Sequence, residues 1–233
     1  MSIRTRFPFL YSVFNKLRRD CYLLYYRLKG DKTDPRAIFN LYFSHNLFGD
    51  TESRSGTGSS LMATTNLRAA LPLLIREMGI SSVLDMPCGD FYWAKEINWS
   101  GLKYIGADIV PELIEENRKR YGQRGLEFIV LDGISESLPK VDLIICRDLL
   151  IHLPNAIAKE VITNIKQSGA KWLLTTHYKS IKRNRDIRLG SFRPVNLTLS
   201  PFELPQPLKT LQDDNYLKLW GRTLALWKIE ELP

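Results

Sequence analysis

Val83-Leu84-Asp85-Met86-Pro87-Cys88-Gly89-Asp90 carries a short apolar segment into an acid and then into a glycine turn. In an open α/β sheet the ligand lies outside the carboxyl ends of the strands. The residue that ends a strand therefore faces the ligand, and a glycine lets backbone come close to it. One such turn is a weak signal, but here it repeats. Tyr104-Ile105-Gly106-Ala107-Asp108 ends in an acid 23 residues after Asp85, and Phe128-Ile129-Val130-Leu131-Asp132 ends in another, 24 residues after Asp108. Three successive strands would bring three carboxylates to one edge of a sheet.

The chain around these segments alternates as a doubly wound α/β domain does. Strands are expected at 82–86, 104–109, 126–132, 141–146 and 171–176. Helices are expected from about Asp90, over Pro111 to Tyr121 with proline in the first turn, and over 154–168, closing at Gly169. Upstream, Leu61 to Met78 reads as a helix that stops at Gly79, with Pro72 either kinking it or marking a restart. Downstream, a proline-rich loop through Pro194, Pro201, Pro205 and Pro207 leads to Tyr216–Trp220 and Arg222–Ile229, which fit a closing antiparallel hairpin.

The acid-ended segments and their spacing resemble the class I S-adenosylmethionine-dependent methyltransferases over roughly residues 80 to 178. The resemblance implies a three-layer doubly wound Rossmann-like fold, with a mostly parallel seven-stranded sheet and a C-terminal antiparallel hairpin, and S-adenosyl-L-methionine as cofactor. It also implies cofactor contacts: Asp85, Pro87, Cys88 and Gly89 at the amino-acid end, Asp108 and Ile109 at the ribose, Asp132 and Gly133 at the adenine, and Arg147 beyond them. The physical reason is shared, since ribose hydroxyls and an exocyclic amine are donors that an ionised carboxylate accepts. Pro87 and Cys88 replace two glycines of the commoner turn; the form Asp-x-Pro-Cys-Gly-Asp is found in a bacterial branch associated with surface-glycan biosynthesis. The competing reading is a dinucleotide-binding turn. That turn needs three glycines to seat a pyrophosphate, whereas here Gly89 stands alone and Asp90 would repel an anion. Taken one at a time, the acids also read as helix caps and turns.

Gly49 to Ser60 is a polar run rich in glycine and hydroxyls and cannot be a core element. Its Ser55-Gly56-Thr57-Gly58-Ser59 resembles a segment that precedes the nucleotide domain in the same branch. That implies a loop over the cofactor's carboxylate, with Ser55, Gly56, Gly58 and Ser59 as contacts. Read without the resemblance, the run is a flexible linker.

At 233 residues, 44% hydrophobic and 25% charged, the chain suits one soluble domain with a well-formed core, and it has no apolar run of bilayer length. The expected layout is a basic amphipathic helix over 1–32, a helical and lid segment over 33–80, and the methyltransferase domain over 81–233. Along Leu10, Phe14, Leu17, Cys21, Leu24 and Leu28 a three-four spacing puts one apolar stripe on that first helix, beside Lys16, Arg18 and Arg19. Such a helix either lies on an anionic membrane or packs on its own domain or a partner. Cys21, Cys88 and Cys146 have neither metal-ligand spacing nor a disulfide framework, and no signal-peptide pattern is seen, so a cytoplasmic location is expected. The net charge of +8 tolerates nucleic acid, anionic lipid or a phosphorylated substrate, with one basic cluster in Lys179, Lys182, Arg183, Arg185 and Arg188.

The chemistry is expected after the fourth strand, in Cys146-Arg147-Asp148-Leu149-Leu150-Ile151-His152. Were this stretch helical, Asp148 and His152 would point the same way, giving a base with a carboxylate nearby. His177, ending the fifth strand, and Arg193, in a specificity-loop position, are candidate acceptor contacts. No histidine spacing supports a metal site. The expected reaction is O-methylation of a sugar hydroxyl on a glycan or small-molecule precursor. RNA or protein methylation is the alternative, although no appended nucleic-acid module is evident, and a non-catalytic cofactor-binding assembly subunit is the non-enzyme reading.

Overall fold

The computed structural model describes residues 17, 21, 22, 24, 34–122, 125–213 and 221–233. Of the stripe, Leu10, Phe14 and Leu28 lie outside the described residues, as do Tyr216–Trp220, while Leu17, Cys21 and Leu24 are exposed. Seven strands form one sheet: β1 (Ser82–Asp85), β2 (Lys103–Asp108), β3 (Glu127–Val130), β4 (Leu143–Cys146), β5 (Trp172–Tyr178), β6 (Lys209–Gln212) and β7 (Arg222–Lys228). Their order is β3-β2-β1-β4-β5-β7-β6. The first five strands are parallel, and β7 runs antiparallel between β5 and β6. The fold is the doubly wound one that the alternation implied, in the three-layer Rossmann-like form that the resemblance implied.

The sheet is covered by the helices α1 (Pro35–Ser44), α2 (Thr65–Glu77), α3 (Pro111–Tyr121) and α4 (Asn155–Gln167). Side chains alternate along a strand, so each strand feeds two cores. Leu84, Ile144, Cys146 and Leu173 point into one core with Ile38 and Leu41 of α1 and with Val161 and Ile165 of α4. Val83, Leu143, Ile145 and Leu174 point into the other, with Leu67, Leu71 and Leu74 of α2 and Leu113 and Ile114 of α3. Burial on both faces explains why these strands read as unbroken apolar runs. Residues 34–80 pack on the same sheet, since α1 contributes to both cores and α2 to the second.

Three expectations need correction. No helix starts at Asp90: Gly89 and Phe91 take left-handed backbone, with φ of 54° and 56°, and only a 3-10 turn at Ala94–Glu96 follows. The helix expected from Leu61 begins at Thr65 and runs unbroken through Pro72. The first strand of the hairpin is Lys209–Gln212, whose residues alternate between half-buried and exposed at the sheet's edge and so carry a weak apolar signal.

The amino end of the sheet is tied by Asp142. Its Oδ2 accepts from both the backbone N–H and the hydroxyl of Ser81 (2.9 and 2.6 Å) and of Ser82 (3.1 and 3.0 Å). These donors hold the carboxyl well below its usual range. Among the described residues no helix is long and apolar enough to cross a membrane.

Candidate functional site

Strand order reverses at β1, which has β2 on one side and β4 on the other, so the chain leaves β1 and β4 in opposite directions and opens a crevice at their carboxyl ends. A cavity fills that crevice. Asp85, Pro87, Cys88, Gly89, Asp108, Ile109, Asp132, Gly133, Arg147, Asp148 and His152 border it, together with Ser55 and Ser59 from the polar loop. Gly56 and Gly58 do not border it, and neither do His177 and Arg193.

Each acid is set differently. Asp85 is 1% exposed and accepts from the Tyr104 hydroxyl at 2.7 Å. Burial pushes it up to about 7, against the pull of Tyr104 and Arg147. Asp108 accepts from the backbone N–H of Gly89 (3.2 Å) and of Val110 (3.1 Å). Burial still raises it to about 6. Asp132 folds back on its own turn, accepting from the Ile134 N–H at 2.9 Å and the Ser135 hydroxyl at 2.7 Å. Between these acids the walls are apolar, formed by Val110, Leu113, Leu131 and Ile134. Gly133 permits this closeness, because a Cβ there would lie 2.5 Å from the Met86 sulfur.

The polar loop is docked on the turn that follows β1. Asp90 accepts from the hydroxyls of Ser53 (2.9 Å) and Ser55 (3.1 Å) and from the backbone N–H of Arg54 (2.8 Å). Its own N–H donates to the Ser55 hydroxyl at 3.1 Å. The fit is close enough that a Cβ at Gly89 would lie 2.2 Å from the Ser55 oxygen. At its other end the loop is held by Arg147, which donates to the Gly58 carbonyl at 2.7 Å. Gly56 and Gly58 thus shape the loop, while Ser55 and Ser59 face the cavity.

Asp148 and His152 both reach the cavity, but not on a helix. Asp148 has φ of 60°, and Leu150–His152 form a 3-10 turn. Asp148 is engaged by Arg222 (2.8 Å), Arg147 (3.4 Å) and the Thr176 hydroxyl (3.0 Å). Burial alone would raise its pKa, but Arg222 and then Arg147 hold it well below the usual range. A carboxylate so stabilised is a fixed charge and a poor proton acceptor. The His152 Nδ1 lies 3.0 Å from the Ser191 carbonyl, which can only accept, so the proton sits on Nδ1 and the lone pair on Nε2. The His152 ring is flanked by Phe48 at 5.3 Å and Phe192 at 6.1 Å between centroids.

His177 and Arg193 are packing residues. His177 is 3% exposed, meets Trp227 edge-on and accepts from the Leu197 N–H; burial, then Lys179, lowers it to about 4. Arg193 is 4% exposed and donates to the Leu153 carbonyl and to Asn155. Burial lowers its pKa too. Both side chains lie inside the fold, with the Arg193 Nε left without a hydrogen-bond partner among the described residues.

Sequence reasoning missed several groups. Phe39 and Phe43, four apart on α1, wall the cavity with Phe48, and the Arg54 guanidinium lies 4.8 Å above the Phe43 ring. Their spacing was the available signal. Asp213 and Arg222 are distant in sequence and had none. Asp213, 1% exposed, binds Arg147 at 3.0 Å and Arg222 at 2.8 Å. Trp93 serves as both wall and core: it is buried, borders the cavity and lies 5.5 Å beneath Arg147. Among the described residues no group of three His, Cys, Asp or Glu side chains is placed to hold a metal.

Residues 83–169 match the family described as "Methyltransferase domain". Solved structures share the fold. Magnesium protoporphyrin IX methyltransferase from Synechocystis PCC 6803, with bound S-adenosylmethionine, is 15% identical at a TM-score of 0.59 over 84% of this chain and 97% of that one. A protein of Pyrococcus horikoshii OT3 is 17% identical at a TM-score of 0.54 over 74% of this chain and 93% of its own. An S-adenosylmethionine-dependent methyltransferase from Clostridium acetobutylicum ATCC 824 is 13% identical at a TM-score of 0.53, covering 70% of this chain and 91% of its own. No curated protein matches the chain by sequence.

Proposed function

We propose that this chain, with its methyltransferase domain over residues 83–169, is an S-adenosylmethionine-dependent O-methyltransferase acting on a sugar hydroxyl of a glycan or of its small-molecule precursor. The observation that carries the reading is that Asp85, Asp108 and Asp132 converge on one cavity whose far wall is Phe39, Phe43, Phe48 and His152.

The residues fit the cofactor. Asp108 and Asp132 offer acceptors for ribose hydroxyls and an adenine amine, and Ile109, Val110 and Leu131 offer apolar walls for a flat base. Buried Asp85 suits an ammonium group, and a cavity lined by carboxylates favours a cation over a phosphate-bearing dinucleotide. The cofactor, when bound, supplies an electrophilic methyl group for in-line displacement.

The protein's part is alignment and proton removal. His152 borders the cavity with its Nε2 lone pair set by the Ser191 carbonyl, and takes the proton of the acceptor hydroxyl as the new bond forms. Phe48 and Phe192 flank it and give a sugar ring apolar faces to lie against. Support for a glycan acceptor comes from the Asp-x-Pro-Cys-Gly-Asp turn and the Ser-Gly-x-Gly-Ser loop. These are the two stretches that carry the resemblance to the glycan-associated branch, and they are in contact through Ser55 and Asp90.

Calorimetry with S-adenosylhomocysteine tests the reading. The parent protein is expected to bind, Asp108→Ala to lose most of the affinity, and His152→Ala to keep it while losing turnover. Failure of the parent to bind refutes the cofactor; full turnover in His152→Ala refutes the base.

A further inference from the structure

We propose that the acceptor is a polyanionic saccharide, held outside the cavity by the basic ridge of residues 179–193; this rests on the methyltransferase reading above. Lys179, Lys182, Arg183, Arg185 and Arg188 are all exposed. None of them forms an ion pair among the described residues. The single acid of the segment, Asp186, accepts through Oδ1 from the N–H of Asn155 and of Ile187, both at 2.8 Å, and leaves the segment strongly basic. Five cations against one acid, with no ion pair among the described residues, repel one another more than they are compensated there. A partner that neutralises them accounts for their placement.

The ridge is a built surface rather than a loose tail. Asn184 donates to the carbonyls of Asn196 (2.8 Å) and Ser200 (3.0 Å) and accepts from the Asn196 N–H at 2.9 Å. Asn196 in turn donates to the Ile181 carbonyl at 2.9 Å. Its backbone is therefore fixed before any ligand arrives, which lowers the ordering cost of binding.

The ridge is also joined to the cavity-lining His152 and its neighbour Ile151. The Gly190 N–H donates to the His152 carbonyl at 2.9 Å, and the Arg193 N–H donates to the Ile151 carbonyl at 3.0 Å. At the junction Phe192 is 47% exposed, its ring 6.1 Å from that of His152. A chain lying along the cations would thus place one sugar against Phe192 and its hydroxyl toward His152. A single carboxylate or phosphate occupies one guanidinium fork, so five cations in ten residues call for repeated anions. One exposed aromatic suits one ring. Single-stranded RNA is held by several aromatic platforms on which successive bases stack, and the ridge offers only Phe192.

The test measures binding of hexagalacturonate and of a phosphodiester-linked hexose oligosaccharide, which present repeated carboxylates and phosphates on sugar rings. Neutral maltohexaose, a single-stranded RNA of matching charge and phosphatidylglycerol vesicles are the comparators. S-adenosylhomocysteine affinity is measured in parallel. At least one anionic chain is expected to bind with an affinity that falls as salt rises, and the one that does names the anion. The triple variant Lys182→Glu, Arg183→Glu, Arg185→Glu is expected to weaken it by about ten-fold or more while leaving S-adenosylhomocysteine binding unchanged. Phe192→Ser is expected to weaken the chain without changing the salt dependence. The proposal is overturned if neither anionic chain exceeds maltohexaose, if the triple variant binds as the parent does, or if RNA or vesicles bind more tightly than the saccharides. A parent that holds the saccharide but not S-adenosylhomocysteine supports the ridge and overturns the methyltransferase reading instead.

Discussion

Removing the Asp90 carboxylate separates the two readings of the polar loop, as a wall of the cofactor site or as a linker. Asp90→Ala deletes the acceptor for the Ser53 hydroxyl, the Arg54 N–H and the Ser55 hydroxyl at 2.9, 2.8 and 3.1 Å. These groups are only partly buried, so each bond contributes about 1 kcal/mol net, or about 3 kcal/mol of loop docking in all. Arg147 still holds the Gly58 carbonyl, which tethers the far end of the loop. At about 1.4 kcal/mol per decade, the affinity for S-adenosylhomocysteine should fall by about ten- to one-hundred-fold, the smaller figure applying if that tether recovers part of the docking. The two hydrophobic cores are untouched, so thermal unfolding should move little. Asp90→Asn is the graded control. Its amide can present oxygen to the Arg54 N–H and nitrogen to hydroxyls that rotate to accept, leaving mainly the Tyr92 N–H unmet and a loss of about five-fold. Calorimetric titration of the three proteins is the assay. An Asp90→Ala protein that folds and binds within about three-fold of the parent would refute the loop's place in the site.

Asp85 should make the ligand-free protein less stable as pH rises. Its folded pKa of about 7 stands above the ordinary 3.8, so between those values the folded state holds a proton that the unfolded state has lost. Asp85→Asn should therefore raise the melting temperature at about pH 8 and leave it unchanged at about pH 4; equal shifts at both would contradict the burial argument. An ionised Asp108 accepts from hydroxyls through both oxygens and more strongly than the neutral acid does. With its pKa near 6, S-adenosylhomocysteine affinity should climb as pH rises through that value, and Asp108→Asn should lose that part of the climb. Gly89→Ala should abolish binding, since its φ of 54° strains a side chain and the new Cβ would meet Ser55 at 2.2 Å. Gly101→Ala, with φ of 79° and nothing within 4 Å of its Cβ, carries the strain without the collision and should bind normally.

The sheet was legible because its central strands are buried on both faces. Leu143 to Cys146 must be apolar throughout, and the acids end the strands by the same rule that puts ligands at that edge. What failed has a physical pattern. The stretch after Asp90 has helix-compatible residues, but Gly89 and Phe91 spend two left-handed conformations turning the chain under the loop. β6 is an edge strand with one face toward solvent, so half its residues carry no signal. His177 and Arg193 are polar residues at positions where acceptor contacts occur, and only their hydrogen bonds to Leu197 and to Leu153 and Asn155 reveal that they serve packing. Asp213 joins Arg147 across 66 residues, a pairing that no local pattern encodes.

That distant pairing changes how the site's charge is read. From the sequence, Arg147 is a free cation beside the cofactor and Asp148 a free carboxylate beside the base. In the fold Arg147 and Arg222 are shared between Asp213 and Asp148, two cations against two anions, so the quartet sums to nothing. It acts instead as a strut linking the carboxyl end of β4, the start of β7 and, through the Gly58 carbonyl, the loop. With those four charges cancelled, the crevice keeps Asp108 and Asp132, an Asp85 that burial leaves only partly ionised at neutral pH, and the Arg54 guanidinium at its wall. The acids outnumber that one cation, which favours a cationic ligand over a pyrophosphate, and this preference rests on charge placed at the cavity wall where the missing glycines rest on the length of a turn.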